Sequence, residues 1–356
     1  MRVDSFDGLR GFAILLVIYF HSFFPYSSGG FIGVDIFFVL SGFLITILLI
    51  KEYKSNLGII NFKYFYIRRS LRLIPALLTV VIFYYIYNQL FGNTVEKEIS
   101  LYASLSSLFY VANFAKAFEW YNMGWLLPTW SLSVEEHFYL IWPLLFLLLI
   151  KQFSYKKNLI FSVVLIIILL SIHRIVLALN EVDVLRLYYS TDTHSTGLLT
   201  GCLFAILIDK YENSRFFTRI LMYKKPILFT AFSFYIISTL LADSHSHSLY
   251  IWFFPALELI SAILICSLYL DRGNTSFLLS NKALIALGKI SYGLYLWHWI
   301  VFRILEQHFT FGPYLPLAGM VVSVFIASLS YSLIEMPFLR FKDNFSQKGN
   351  HVSKPG

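Results

Sequence analysis

The sequence predicts an all-α integral membrane protein: a bundle of about ten transmembrane helices with both termini in the cytoplasm. Three observations carry this. Of 356 residues, 58% are hydrophobic and 13% charged, against roughly 45–50% and about 25% in soluble domains. Ten apolar segments approach the ~20 residues that a helix needs to cross a bilayer core. Lysine and arginine collect in alternate loops, the pattern of cytoplasmic loops in membrane proteins.

The rest of the composition agrees. The 36 Phe and 24 Tyr suit lipid contacts and headgroup belts. A net charge of +8 then reports basic cytoplasmic loops facing anionic membrane lipid, and no nucleic-acid partner is expected. The two cysteines, Cys202 and Cys266, lie in the apolar runs LLTGCLFAIL and AILICSLYL. They read as small buried residues, with no disulfide framework and no CxxC motif. Arg2 and Arg10 are offset by Asp4 and Asp7. No small-residue cleavage site follows, so the first span is expected to remain as a membrane helix.

The predicted spans are 8–26, 31–50, 72–92, 133–150, 158–179, 194–209, 227–242, 250–270, 284–305 and 315–334. The stretch 100–115, LYASLSSLFYVANFAK, is broken by Ser and Asn and reads as an interfacial or re-entrant segment. Inner loops then hold Lys51, Lys54, Lys63, Arg68 and Arg69, next Lys151, Lys156 and Lys157, next Lys210, Arg215, Arg219, Lys224 and Lys225. Arg340, Lys342, Lys348 and Lys354 follow span ten. The outer loops hold little beyond Lys97, Lys116 and Arg186. Residues 1–340 form the transmembrane domain and 341–356 a short cytoplasmic tail. There is no internal repeat and no low-complexity tract.

Ionisable residues inside spans are costly and mark candidate sites. In span one, Arg10 sits at the cytoplasmic mouth and His21 near the outer end. They share a face about 16 Å apart along the axis, so they line one groove without touching. Asp35 lies near the outer end of span two, at the depth of His21. There it would orient the imidazole or form a polar pair that only joins the helices. The segment FKYFYIRRSLRLIPALL brings Arg69 and Arg72 onto one helical face, with Arg68 beside them and Pro75 marking a bend. Two readings fit that cluster: loop charge meeting lipid phosphate, or a site for a phosphate-bearing cytoplasmic ligand.

Span four opens PTWSLSVEEHFYLIWPLL. Ser131 or Ser133 would cap it, and Glu135 and Glu136 suit the positive end of its dipole. Adjacent residues point about 100° apart, so one glutamate is expected to face the interior, with Glu135 above Tyr139. His194 and His298 read as packed interfacial histidines. His245 and His247 read as a solvated outer loop, with no third ligand for a metal.

Together the blocks FDGLRGFAILLVIYFH, GVDIFFVLSGFLI, RRSLRLIPA, PTWSLSVEEHFYLIWPLL, ISYGLYLWHW and IEMPF resemble the acyltransferase-3 family of membrane O-acyltransferases, which acylate bacterial surface polysaccharides and other hydroxylated acceptors. The resemblance runs along essentially the whole chain, in order. It is to the stand-alone form, without a C-terminal esterase-like domain. It implies a catalytic histidine at His21, paired in the family signature with Arg10. It implies an acyl-CoA-associated RxxR motif at Arg69 and Arg72. Asp35 and Glu135 take the acidic positions of their blocks. His137 stands where a common relative has glutamine and receives no catalytic role.

The donor implied is acetyl-CoA or another acyl-CoA, and no metal is implied. Its arm would thread past Arg10 along span one to His21, the general base or the site of a transient acyl-imidazole. Asp35 would orient that base and Glu135 support it. The acceptor, a cell-surface polysaccharide or its lipid-linked precursor, would enter on the outer side of the bacterial plasma membrane, where Trp120, Trp125 and Trp130 fall. The alternatives are a small lipid or antibiotic-like acceptor, a non-catalytic scaffold for polysaccharide assembly, or a proton-coupled transporter using His21, Asp35 and Glu135 as a relay. No inverted repeat or paired broken helices favour the transporter.

Overall fold

A computed structural model describes residues 4–22, 24, 27–153, 158–271 and 279–348. Arg2, Lys156, Lys157, Lys354 and the stretch 349–356 of the expected tail lie outside the described residues. Among those described, the chain is helical throughout, without a strand. In order the helices are α1 (Asp4–His21), α2 (Ile32–Ser55), α3 (Phe62–Phe91), α4 (Thr94–Leu108), α5 (Ala112–Ala117) and α6 (Thr129–Phe153). Next come α7 (Asn158–Leu179), α8 (Val184–Tyr189), α9 (Thr191–His194), α10 (Thr196–Tyr211), α11 (Arg215–Met222) and α12 (Lys224–Leu241). The last are α13 (Phe254–Leu270), α14 (Lys282–Lys289), α15 (Ser291–His308), α16 (Leu315–Ser330) and α17 (Met336–Lys348). A π-helical turn, Leu249–Phe253, leads into α13, and another, Tyr331–Glu335, joins α16 to α17.

Among the described residues, six helical stretches are long and apolar enough to cross a membrane: Ile32–Ser55, Phe62–Phe91, Thr129–Gln152, Asn158–Leu179, Leu249–Leu270 and Gly312–Lys342. Two bent pairs raise the number to eight: α11 with α12, at 73°, and α14 with α15, at 78°. The expected spans one and six fall short individually. α1 carries Asp4, Asp7 and Arg10 in its first two turns, and α10 is only 16 residues long.

Helix starts differ from the sequence expectation in two places that matter for the site. Asn61 accepts a hydrogen bond from the Tyr64 N–H and starts α3 ten residues before the expected span, because a side-chain cap satisfies an otherwise orphaned donor. Arg69 therefore lies in α3 with Arg72 rather than in the preceding loop. The helix also runs on through Pro75. α6 likewise starts at Thr129. Ser131 and Ser133 thus lie inside it and do not cap it, and Glu135 and Glu136 fall in its second turn. The stretch 100–115 is helical too, divided between α4 and α5 around Tyr110, whose φ of 55° ends the run. A capping box of Asn93 and Glu96 opens α4.

α2 is the central helix, against α1, α10 and α13. Its contact with α10 depends on two glycines. A Cβ on Gly42 would sit 1.9 Å from the Leu198 carbonyl oxygen, and one on Gly201 would sit 2.1 Å from that of Val39. Small residues let helices approach closely in membranes, where dispersion replaces the hydrophobic drive. Gly201→Val is expected to lower stability by about 3 kcal/mol or more by overpacking. Thermal unfolding of the purified protein in detergent measures this; an unchanged midpoint would refute the close contact.

Candidate active site

α2, α3, α6 and α15 enclose a cavity of about 1150 Å³, above the roughly 300–1,000 Å³ of sites for drug-sized ligands. α2 lines it from Val34 to Ser55, about 32 Å at 1.5 Å per residue. α3, α6 and α15 supply most of the remaining wall. Toward the C-terminal end of α2 the lining is basic, with Lys51, Lys54, Arg68 and Lys342. Arg10, Arg69 and Arg72 also line it. Toward the N-terminal end of α2 it is apolar and hydroxylated, with Phe37, Phe38, Ser131 and Tyr295.

Arg69 organises the middle of the cavity. Its Nε donates to Glu136 Oε1 at 2.8 Å, and its Nη2 lies 4.0 Å from Glu135 Oε2. Its guanidinium also lies over the Tyr139 ring. The other Glu135 oxygen accepts from Ser41 Oγ at 2.9 Å. Both glutamates therefore meet the same arginine, because the guanidinium fork offers donors along two edges. Sequence reasoning assigned the arginines and Glu135 to opposite ends of the bundle. The early start of α3 carries Arg69 two turns along that helix and joins the two groups. Arg68 pairs with Glu52 at 3.4 Å and Arg10 with Asp7 at 3.3 Å. Arg72 makes no ion pair among the described residues, and its exposed side chain lines the cavity.

His21 does not line this cavity, and of α1 only Phe6 and Arg10 do. Residues such as Ala13, Ile14, Val17 and Ile18 are buried in the core. The wall expected along span one is therefore provided mainly by α2. His21 is reached through α15. Tyr295, at the apolar end of the cavity, shares a 2.7 Å hydrogen bond with Ser131. Its carbonyl lies 2.7 Å from His298 Nδ1. His298 Nε2 in turn lies 3.2 Å from His21 Nδ1.

Asp35 does not meet His21. It is buried against His194, whose Nε2 lies 2.8 Å from Asp35 Oδ1, while Nδ1 bonds to the Tyr188 carbonyl. The Tyr188 carbonyl only accepts, so Nδ1 carries a proton. Asp35 falls on the α10 side of α2, and the one-turn helix α9 delivers His194 to it. Trp130 and Phe38 pack on the His194 ring, which links the pair to the end of the cavity. Removing one partner of a buried pair costs about 3–5 kcal/mol. Asp35→Leu is expected to lose that much. Asp35→Asn should lose far less, since its amide can donate to the imidazole. Unfolding midpoints of the two variants check this ordering.

Near this pair is a second buried charge cluster that the sequence reading did not single out. Arg174 of α7 lies 3.3 Å from Glu258 of α13, and Thr196 Oγ1 donates to the same carboxylate at 2.5 Å. Glu335, in the π turn after α16, is also buried. All three occupy apolar runs, where the cost of an intramembrane charge was the signal available.

The three tryptophans do not form one patch. Trp120 is exposed, Trp125 packs on Tyr84 and Tyr87, and Trp130 is buried. His137 shares a hydrogen bond with Thr191 at 2.9 Å. His247 bonds to the Val182 carbonyl. Among the described residues no group of three or more His, Cys, Asp or Glu side chains is placed to hold a metal ion.

Comparison with known proteins adds to this geometry. A family model described as an acyltransferase domain matches residues 3–334. The chain belongs to the acyltransferase-3 family. The peptidoglycan O-acetyltransferase OatA of Listeria monocytogenes is 32% identical over 376 residues, covering 99% of this chain and 59% of that protein. YrhL of Bacillus subtilis, provisionally named for the same activity, is 32% identical over 351 residues, covering 94% of this chain and 54% of that protein. The chain thus spans a little over half the length of these relatives. No solved structure matches it. In this acyltransferase-3 chain, Arg10, Arg69, Arg72 and Glu135 line one cavity, while His21 and Asp35 lie outside its lining.

Proposed function

We propose that the protein is an O-acetyltransferase of the bacterial plasma membrane. Acetyl-CoA, or another acyl-CoA, binds from the cytoplasm. The acyl group passes to a hydroxyl of a cell-surface polysaccharide or its lipid-linked precursor. The observation that carries this reading is the cavity, with seven cationic side chains (Arg10, Lys51, Lys54, Arg68, Arg69, Arg72 and Lys342) and an apolar end. Coenzyme A has the same polarity, with phosphates at one end and a thin thioester arm at the other. Guanidinium groups hold phosphate well, and the length of the cavity along α2 is about that of a bilayer core.

In this reading Arg10, Arg69 and Arg72 hold the donor, and its acyl end passes Ser131 and Tyr295 toward His21. His21 Nε2 takes the proton of the acceptor hydroxyl as that oxygen attacks the thioester carbonyl. The C–S bond then breaks, and the departing thiolate takes up the proton from His21. Transfer through an acyl-imidazole on His21 is the covalent variant of the same site. Glu135 acts through Arg69, which it holds in the cavity together with Glu136. Asp35 acts through His194, fixing the end of the cavity at Phe38 and Trp130. Counting α1 and α10 with the other eight candidates gives ten crossings, and the basic loops then put both termini in the cytoplasm.

Envelope glycan from cells with and without the protein, compared by mass and NMR, tests this reading. Base-labile acetate on the glycan only when the protein is present is the expected result. Acetate found instead on a lipid or small molecule would move the acceptor. Proton-coupled uptake by proteoliposomes without acyl-CoA, and no acetate anywhere, would replace the enzyme by a transporter.

A further inference from the structure

We infer that His298 is the positioning residue for His21, holding its imidazole as the Nδ1–H tautomer so that Nε2 is the basic nitrogen. The inference rests on the acetyltransferase reading for its purpose, and on hydrogen-bond accounting for its content.

The accounting starts at His298, which is fully buried. Its Nδ1 lies 2.7 Å from the Tyr295 carbonyl oxygen. A carbonyl only accepts, so Nδ1 carries the proton. His21 Nδ1 lies 3.0 Å from the Val17 carbonyl oxygen, so it too carries a proton. The same His21 nitrogen faces His298 Nε2 at 3.2 Å. Two N–H groups cannot point at each other, so His298 Nε2 is the acceptor. The His21 proton is shared between Val17 and His298, and Nε2 of His21 keeps its lone pair.

Neither imidazole has a carboxylate partner among the described residues. The usual carboxylate that fixes a catalytic tautomer is thus replaced by a neutral histidine, itself fixed by the backbone of α15. Val17 alone is a weaker guide. Its carbonyl is the i−4 acceptor of the His21 backbone N–H within α1, so the side chain takes only a share of it. When His21 accepts a proton from the acceptor hydroxyl, its Nδ1–H faces two neutral acceptors, which stabilise the cation without trapping it as a salt bridge. Trp299 also packs on the ring, with centroids 4.8 Å apart, and limits its rotation.

The test combines one spectrum with two variants of the full chain in detergent or nanodiscs. ¹⁵N-histidine labelling, with the His21 signals assigned by their loss in His21→Gln, reports the tautomer directly. The expected result is a protonated Nδ1 and an unprotonated Nε2. His298→Gln keeps a donor for Tyr295 and an acceptor for His21, and is expected to retain kcat within about threefold. His298→Leu removes the acceptor. It is expected to lose at least about tenfold in kcat with KM for acetyl-CoA unchanged, and to show Nε2–H His21 in its spectrum. A wild-type His21 protonated on Nε2 overturns the inference. So does a folded His298→Leu protein with kcat within twofold of wild type, or equal losses in the Gln and Leu variants. If His298→Leu does not fold, the wild-type tautomer and the Gln variant still decide. A wild-type protein that transfers no acetyl group would sink the enzyme reading, while its spectrum would still report the tautomer.

Discussion

His21→Ala is expected to lower acetyl transfer by about 10³-fold or more, with the protein still inserted, folded and binding acetyl-CoA. General base catalysis contributes typically about 10²–10⁴-fold, and neither His298 nor His194 is placed to substitute. His298 is fully buried with one nitrogen held by Tyr295, and His194 is held at both nitrogens. Truncation at His21 breaks the hydrogen-bond contacts with Val17 and His298 and the ring contact with Trp299, and leaves no charge without a partner. The loss should therefore be in kcat, with unfolding midpoint and donor affinity near wild type. Radiolabelled acetyl transfer by the purified variant measures it. Normal turnover by a folded His21→Ala protein would remove His21 from the mechanism.

Arg72→Ala should act on the donor instead. Arg69 is committed to Glu135, Glu136 and Tyr139, whereas Arg72 lines the cavity without an ion pair among the described residues. A hydrogen bond to a charged group is worth about 1.5–3 kcal/mol, so KM for acetyl-CoA should rise roughly 10–150-fold while kcat changes little. Arg72→Lys should fall between, since an ammonium gives charge without the planar fork. Added salt should weaken donor binding by wild type more than by Arg72→Ala. Arg69→Ala is expected to lose stability as well as affinity, because Glu135 and Glu136 would lose their shared cation. An unchanged KM in Arg72→Ala would contradict the assignment of the cavity to the donor.

The helical membrane class was legible in the sequence because apolar run length and loop charge are local properties. The residues of the site were legible as types: Arg10, His21, Asp35, Arg69, Arg72 and Glu135 are all costly in an apolar chain. Their partners were less so. Arg69 was placed at a mouth because the apolar run of span three starts at residue 72, but the Asn61 cap starts the helix at Phe62 and carries Arg69 to Glu135 and Glu136. Asp35 and His21 matched in depth yet lie on different sides of α2. Depth follows from counting residues, whereas the facing of two helices follows from packing contacts such as Gly42 against Leu198, which a single sequence does not display. From sequence alone His298 and His194 read as packed interfacial histidines. In the structure each is the hydrogen-bond partner of another candidate residue. Arg174 and Glu258 compensate each other across helices 84 positions apart in sequence, and their pairing has no local signature.

The central claim is that a cytoplasmic acyl thioester enters the α2 cavity and is transferred through His21 to an acceptor on the other side of the membrane. Sealed vesicles presenting the protein's N-terminus outward, loaded with envelope glycan and given radiolabelled acetyl-CoA outside, test it most directly. The account predicts labelled, base-labile ester on the enclosed glycan, absent with His21→Ala and shifted to higher donor concentration with Arg72→Ala. No label on enclosed glycan, or equal label with His21→Ala, would contradict it.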